Sequence, residues 1–344
     1  MNNENIPSAN KELFYKLIAL WVVCEAFAGG IMHAAKIPFT GMMVSSLSVT
    51  CIILIAYYIP GNANIIKATF IVIIFKLMFT PHSPPTAYIA VFFQGYMGQL
   101  LFHGRRHFTL SAIILSVLAL VESAIQRLLV LLILYGNTFW HALDQYVKKL
   151  VGGEDRNYSL LLASGYVFLH AAAGILVGTF AVRIVKRSDE WRSINPSLVF
   201  SKNPALFPET EKSTKKKKFG ALFIILWLLL ILLFAQAYID PLHAVIPKSA
   251  AAKILFRSLL IFFSWYLIVA PVIMKLINFR LKSQEIKQQT AVNQIMLLLP
   301  EIKYIFTQSW FLSAAEKGLS RAKLFLKLLL VNILSESEEI RIAK

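Results

Sequence analysis

Apolar residues in this chain come in unbroken runs, with short stretches of polar and turn-forming residues between them. The first run covers about Leu13 to Ala35, and the second starts at Phe39 and stops at Ile59, just before the turn signal Pro60-Gly61-Asn62. A third reads from Ala63 to Thr80, where the breaker-rich segment TPHSPPTA, Thr80 to Ala87, ends it. A fourth continues to Phe102, and HGRRH follows. The fifth covers Phe108 to Gly136, an amphipathic stretch from Trp140 to Val151 predicts a helix lying at a membrane surface, and the sixth covers Leu160 to Val185. After a polar segment, Lys186 to Lys218, two further runs span Phe219 to Tyr238 and Ile254 to Ile277. From Arg280 onward the chain is charged but keeps helical spacing, with Pro300 and Gly318 as expected breaks.

Runs of this length match a hydrocarbon core of about 30 Å crossed by a helix, and lipid offers exposed backbone groups no partners. The pattern therefore predicts an all-α, polytopic transmembrane helical bundle of about eight spans, six plus two, with cytoplasmic C-terminal amphipathic helices. Residues 1–187 form a six-span membrane domain in this reading, 188–218 a basic linker, 219–279 a two-span segment and 280–344 a basic helical tail.

Composition agrees. The 344 residues are 57% hydrophobic and only 15% charged, against about 25% charged in soluble domains. A formal charge of +17 would suggest nucleic acid in a soluble chain. Here the bases cluster between and after the runs, as in loops retained in the cytoplasm, so the expected partner is the bilayer and not a nucleic acid. Counting them places both termini on the cytoplasmic side and leaves AKIPFTG, TPHSPPTA and the loop from Trp140 to Tyr158 outside. Cys24 and Cys51 read as small apolar fillers, and no removable signal peptide is expected.

Ionisable groups inside a span are costly and point to function. They are Glu25 and His33 on the first span, Lys76 on the third, Glu122 and Arg127 on the fifth and His170 on the sixth. In the expected topology His33, Lys76, Arg127, Glu122 and His170 could line one outward-facing pocket, with Gln94 and Gln126 adding amides. The outer loops add Lys36 and Thr40 from AKIPFTG and His82 from TPHSPPTA. Each has a plainer reading. Lys76 can snorkel to headgroups, Glu122 can form a structural ion pair, His170 can bond a backbone group at a helix contact, and the proline-rich loops can be simple tight turns. Small residues at Ala26 and Gly30, and from Ala171 to Gly174, suit either internal packing or a docking face for another subunit.

No phosphate loop, HExxH, CxxC pair or GxSxG elbow is present, so no enzyme activity and no cofactor or metal is expected. Any ATP used in transport would be hydrolysed by another chain.

The six-run arrangement, the small-residue first span, the IPFTG loop at Ile37 to Gly41, the PGNAN turn and the proline-rich outer loop resemble the substrate-binding S components of energy-coupling-factor transporters. The resemblance covers about Leu13 to Val185. It implies a prokaryotic cytoplasmic membrane, a small solute such as a vitamin, cofactor precursor or metal ion bound near the outer face, and docking of the first helix, at Ala26 and Gly30, on a transmembrane coupling subunit that works with ABC-type ATPases. The chain departs from the family by continuing past the sixth run. That extension resembles the coupling subunit's cytoplasmic helices, but the Ala-Arg-Gly motif is not reproduced, Ser320-Arg321-Ala322 being the nearest match, with Arg321 as its docking candidate. Two alternatives from other classes are a membrane scaffold recruiting a partner through its tail, and a membrane-embedded lipid or isoprenoid enzyme, for which acid, base and metal ligands cannot be assembled.

Overall fold

The computed structural model describes residues 8–34, 39–80, 83–104, 107–152, 157–194, 198–200 and 285–335, with isolated helical positions between 228 and 272. Apart from those isolated positions, the expected spans at 219–238 and 254–277, most of the basic linker and the end of the tail lie outside the described residues.

All described secondary structure is helical. Helix α1, Ser8–Val22, runs through a π-helical turn, Val23–Ala28, into α2, Gly29–Ala34. Then come α3, Thr40–Tyr58; α4, Asn64–Phe79; α5, Pro85–Leu101; α6, Phe108–Tyr135; α7, Asn137–Val151; and α8, Tyr158–Ile194. The tail supplies α9, Glu285–Leu312, and α10, Gly318–Leu334.

Local sequence explains most of these limits. Pro60-Gly61 ends α3, and Asn64 closes the turn by donating to the Ile59 and Pro60 carbonyls at 3.2 and 3.4 Å. Pro85 opens α5 at a first-turn position, where its missing N–H costs nothing. Gly152, in the left-handed region at φ 63°, ends α7. Pro300, expected as a break, instead lies inside α9; the break falls at 313–317, and Gly318 at φ 58° starts α10. The sixth run was expected to end at Val185, yet α8 continues to Ile194 because KRSDEWRS is polar without being helix-breaking.

Among the described residues three helices are long and apolar enough to cross a membrane: Thr40–Tyr58, Phe108–Tyr135 and the Tyr158–Trp191 part of α8. In their apolar windows α3 is 56% buried, but α6 only 17% and α8 only 11%. The latter two therefore present Leu110, Leu118, Leu129, Phe168 and Leu176 outward, a surface that water does not tolerate and acyl chains do. Helices α4 and α5, with 16 and 17 residues, reach only about 24–26 Å.

The chain divides into two compact units, residues 1–126, 164–208 and 286–344 forming the first, and 127–163 with 209–285 the second. In the first unit α3, α4 and α5 pack with α1 and its π turn around Leu17, Ile18, Trp21, Ile52, Ile55 and Phe75, all essentially without exposure. Helix α8 meets α6 at Gly174 and Gly178, where an added Cβ would lie 2.6 Å and 2.7 Å from backbone atoms of Val117 and Ile113. Glycine is required there by close approach. The unit is also tied at its chain ends: Lys16 donates to the Ser335 carbonyl at 3.1 Å, and Asn332 of α10 clamps Leu198 and Phe200 through both backbone groups. In the second unit α7 is strongly amphipathic, and Asp144 caps the start of α8 by accepting from the Ser159 N–H at 2.6 Å and its hydroxyl at 3.1 Å.

Candidate functional site

The most costly feature of the first unit is an ion pair in its interior. Glu25 lies on the π turn and Lys76 near the end of α4, with Lys76 Nζ 2.6 Å from Glu25 Oε2 and both side chains buried. Ser48 of α3 donates to the other carboxylate oxygen, and Lys76 Nζ also lies 3.4 Å from the Ala87 carbonyl at the start of α5. A π turn inserts a residue into a helix and so rotates everything after it. Glu25 sits early in that turn, four residues beyond Trp21 and seven beyond Ile18, on the buried face that α1 already turns toward α3 and α4.

One helical turn from Ser48, on the same face of α3, Ser45 accepts a hydrogen bond from Gln94 Nε2 at 3.1 Å. Gln94 is 1% exposed, and its carbonyl oxygen has no hydrogen-bond partner. The two groups therefore form one polar layer crossed by four helices: a carboxylate, an ammonium, two hydroxyls and an amide oxygen still able to accept. Its open group is the Gln94 oxygen, which can accept from a hydrogen-bond donor. Cys24 and Cys51 are both buried, free thiols in the helices that carry the layer.

The other sequence candidates fall elsewhere. Glu122 of α6 accepts from Gln126 one turn on, Gln126 also donates to the Thr86 carbonyl at 3.1 Å, and the second carboxylate oxygen of Glu122 has no hydrogen-bond partner. His170 is buried on α8, its Nδ1 2.9 Å from the Tyr166 carbonyl, with its ring against Tyr166 and Phe39. Phe39 takes a left-handed backbone, φ 58°, at the start of α3. Thr40 is buried in the first turn of that helix. His33 is on α2; Lys36 and His82 lie outside the described residues. Arg127 is exposed and belongs to the second unit. The structure thus brings Lys76 and Gln94 together through α3 and groups Glu122 with Gln126, while His170 sits with aromatic residues.

Among the docking candidates, Ala26 is buried within the first unit and Gly30 faces Thr80, a Cβ there lying 3.7 Å from its methyl. Arg321 lies over the Trp310 ring at 4.6 Å, joining α10 to α9.

Sequence reasoning placed Glu25 among the intramembrane ions but left it out of the pocket, and it missed Ser45 and Ser48. The available signal was an acid in the first apolar run and a base deep in the third, with Ser45 and Ser48 three positions apart in the run between them. Comparison with protein-family models, curated proteins and solved structures gave no match.

Proposed function

We propose that this chain is a multi-pass membrane protein that binds a small polar solute at the Glu25–Lys76 layer, as the membrane subunit of an importer whose ATPase resides on other chains. The observation supporting this reading is the buried ion pair next to the unsatisfied Gln94 oxygen. Ionised groups inside an apolar bundle persist where they pair or meet a ligand, and this layer offers one of each charge plus a free acceptor. A zwitterionic or amide-bearing solute would engage Glu25 and Lys76 with opposite ends and donate to Gln94. The eight-span topology, cytoplasmic termini, prokaryotic inner membrane and coupling subunit belong to the same proposal, and the likeness to S components supports it only through the loop and small-residue features described above.

The test is to incubate the purified chain in lipid nanodiscs with a cell metabolite extract and identify retained compounds by mass spectrometry. Enrichment of a polar metabolite that Gln94→Leu and Lys76→Met both reduce at least tenfold is expected. Equal recovery from both variants, with the variants still folded by thermal melting, would remove the site. A scaffold role keeps one supporting observation, the exposed Trp310, Phe311 and Leu319 where α9 meets α10. Pull-down with Trp310→Ser and Phe311→Ser would separate the two readings, since solute retention should survive both changes.

A further inference from the structure

A cavity of about 790 Å³ opens in the first unit where α3 ends, α6 begins and α8 passes. Its walls divide by chemistry. Lys186 of α8 supplies a cation, His107 an imidazole and Thr109 a hydroxyl, while Phe108, Leu110 and Ile113 make an apolar side. Tyr57 forms a further wall, held by its hydroxyl donating to Asp189 at 3.1 Å; Tyr58 donates to the same carboxylate at 2.8 Å. Asp189, beside the cavity, accepts from both of these phenols. Lys186 and His107, both exposed, form no ion pair with a described residue.

The position matters as much as the lining. Two of the three helices fit to cross a membrane, α3 and α6, have their ends here, so the polar wall lies at headgroup depth. The apolar wall continues onto outward-facing Leu110 and Ile114, along which an acyl chain can run. Basic pockets between helices at this depth suit anionic headgroups, and this one is open enough for a headgroup to enter from the side.

We infer that this cavity binds the phosphate of an anionic phospholipid, Lys186, His107 and Thr109 holding the phosphate oxygens while the tail packs on α6. The site is separate from the Glu25–Lys76 layer and stands whether or not that layer binds a solute. The same chemistry would accept free phosphate, which lacks the tail, and the test distinguishes the two.

The full chain is purified in detergent and mixed in turn with phosphatidylglycerol, phosphatidylcholine and inorganic phosphate, reading retained lipid by native mass spectrometry and thermal melting by intrinsic fluorescence. One retained phosphatidylglycerol and a raised melting temperature are expected, with no effect of phosphatidylcholine. A lysine near a lipid phosphate is worth about a fivefold change in affinity, so the Lys186→Ala, His107→Ala double variant, which also loses the imidazole donor, should lose at least about fivefold. Lys186→Arg and the distant Lys303→Ala should retain the lipid. The inference is overturned if the double variant, melting normally without lipid, keeps phosphatidylglycerol as well as the parent. It is equally overturned if phosphatidylcholine is retained as strongly, or if inorganic phosphate alone gives the full shift.

Discussion

Lys76→Met would leave the Glu25 carboxylate in the interior with only Ser48 for company. Breaking one side of a buried pair costs about 3–5 kcal/mol, and replacing both sides by apolar groups is often neutral. Thermal melting in detergent should therefore show a large loss for Lys76→Met and substantial recovery in the Glu25→Leu, Lys76→Met double variant. Additive losses would mean that the two residues act independently. Both ions were readable in the sequence as expensive occupants of apolar runs. Their pairing was not, because nothing in the residue types says that helices two runs apart turn these two positions toward each other. Lys76 was equally open to a snorkelling reading. The short reach from α4 to Glu25 and the carbonyl of Ala87 turns it inward instead.

At the scale of the helix, deleting Val23 should restore regular α geometry and shift Glu25 around the helix relative to Trp21, away from Ser48 and Lys76. The variant is expected to melt as low as Lys76→Met, and the additional change Lys76→Met should then cost little more. Close packing makes a second prediction: Gly174→Val would drive a side chain into the backbone of Val117 and lower stability by about 1–3 kcal/mol, whereas Gly165→Val, at a position with open space around it, should not. At the chain end Asn332→Ala would free Leu198 and Phe200 from α10, and limited proteolysis should cut faster around residues 195–200. Unchanged cleavage would show that the clamp does not hold this segment. Element limits were legible where punctuation is strong. The run from Phe39 to Ile59 became Thr40–Tyr58, and the one from Phe108 to Gly136 became Phe108–Tyr135. They were illegible where hydropathy stops before the helix does, as at Val185, and where an α-helix absorbs a proline, as at Pro300.

Taken whole, the molecule is an all-helical chain among its described residues, with outward apolar faces on α6 and α8 and a charged layer inside the first unit. Apolar run length anticipated α3, α6 and α8, the three described helices fit to cross a bilayer, but it also counted the runs that became the shorter α4 and α5 and the π-interrupted first helix. Which ions would meet was beyond it, since sequence distance says nothing about which faces of non-adjacent helices turn together. The most direct test of a solute-accessible interior is to place a single cysteine at Gln94 in a Cys24→Ala, Cys51→Ala background and treat sealed vesicles with a small membrane-impermeant methanethiosulfonate. The account predicts slow, measurable labelling from one face of the membrane. Complete protection from both faces, while a surface cysteine at Lys303 reacts when its face is exposed, would contradict it and leave the ion pair as a dry structural contact.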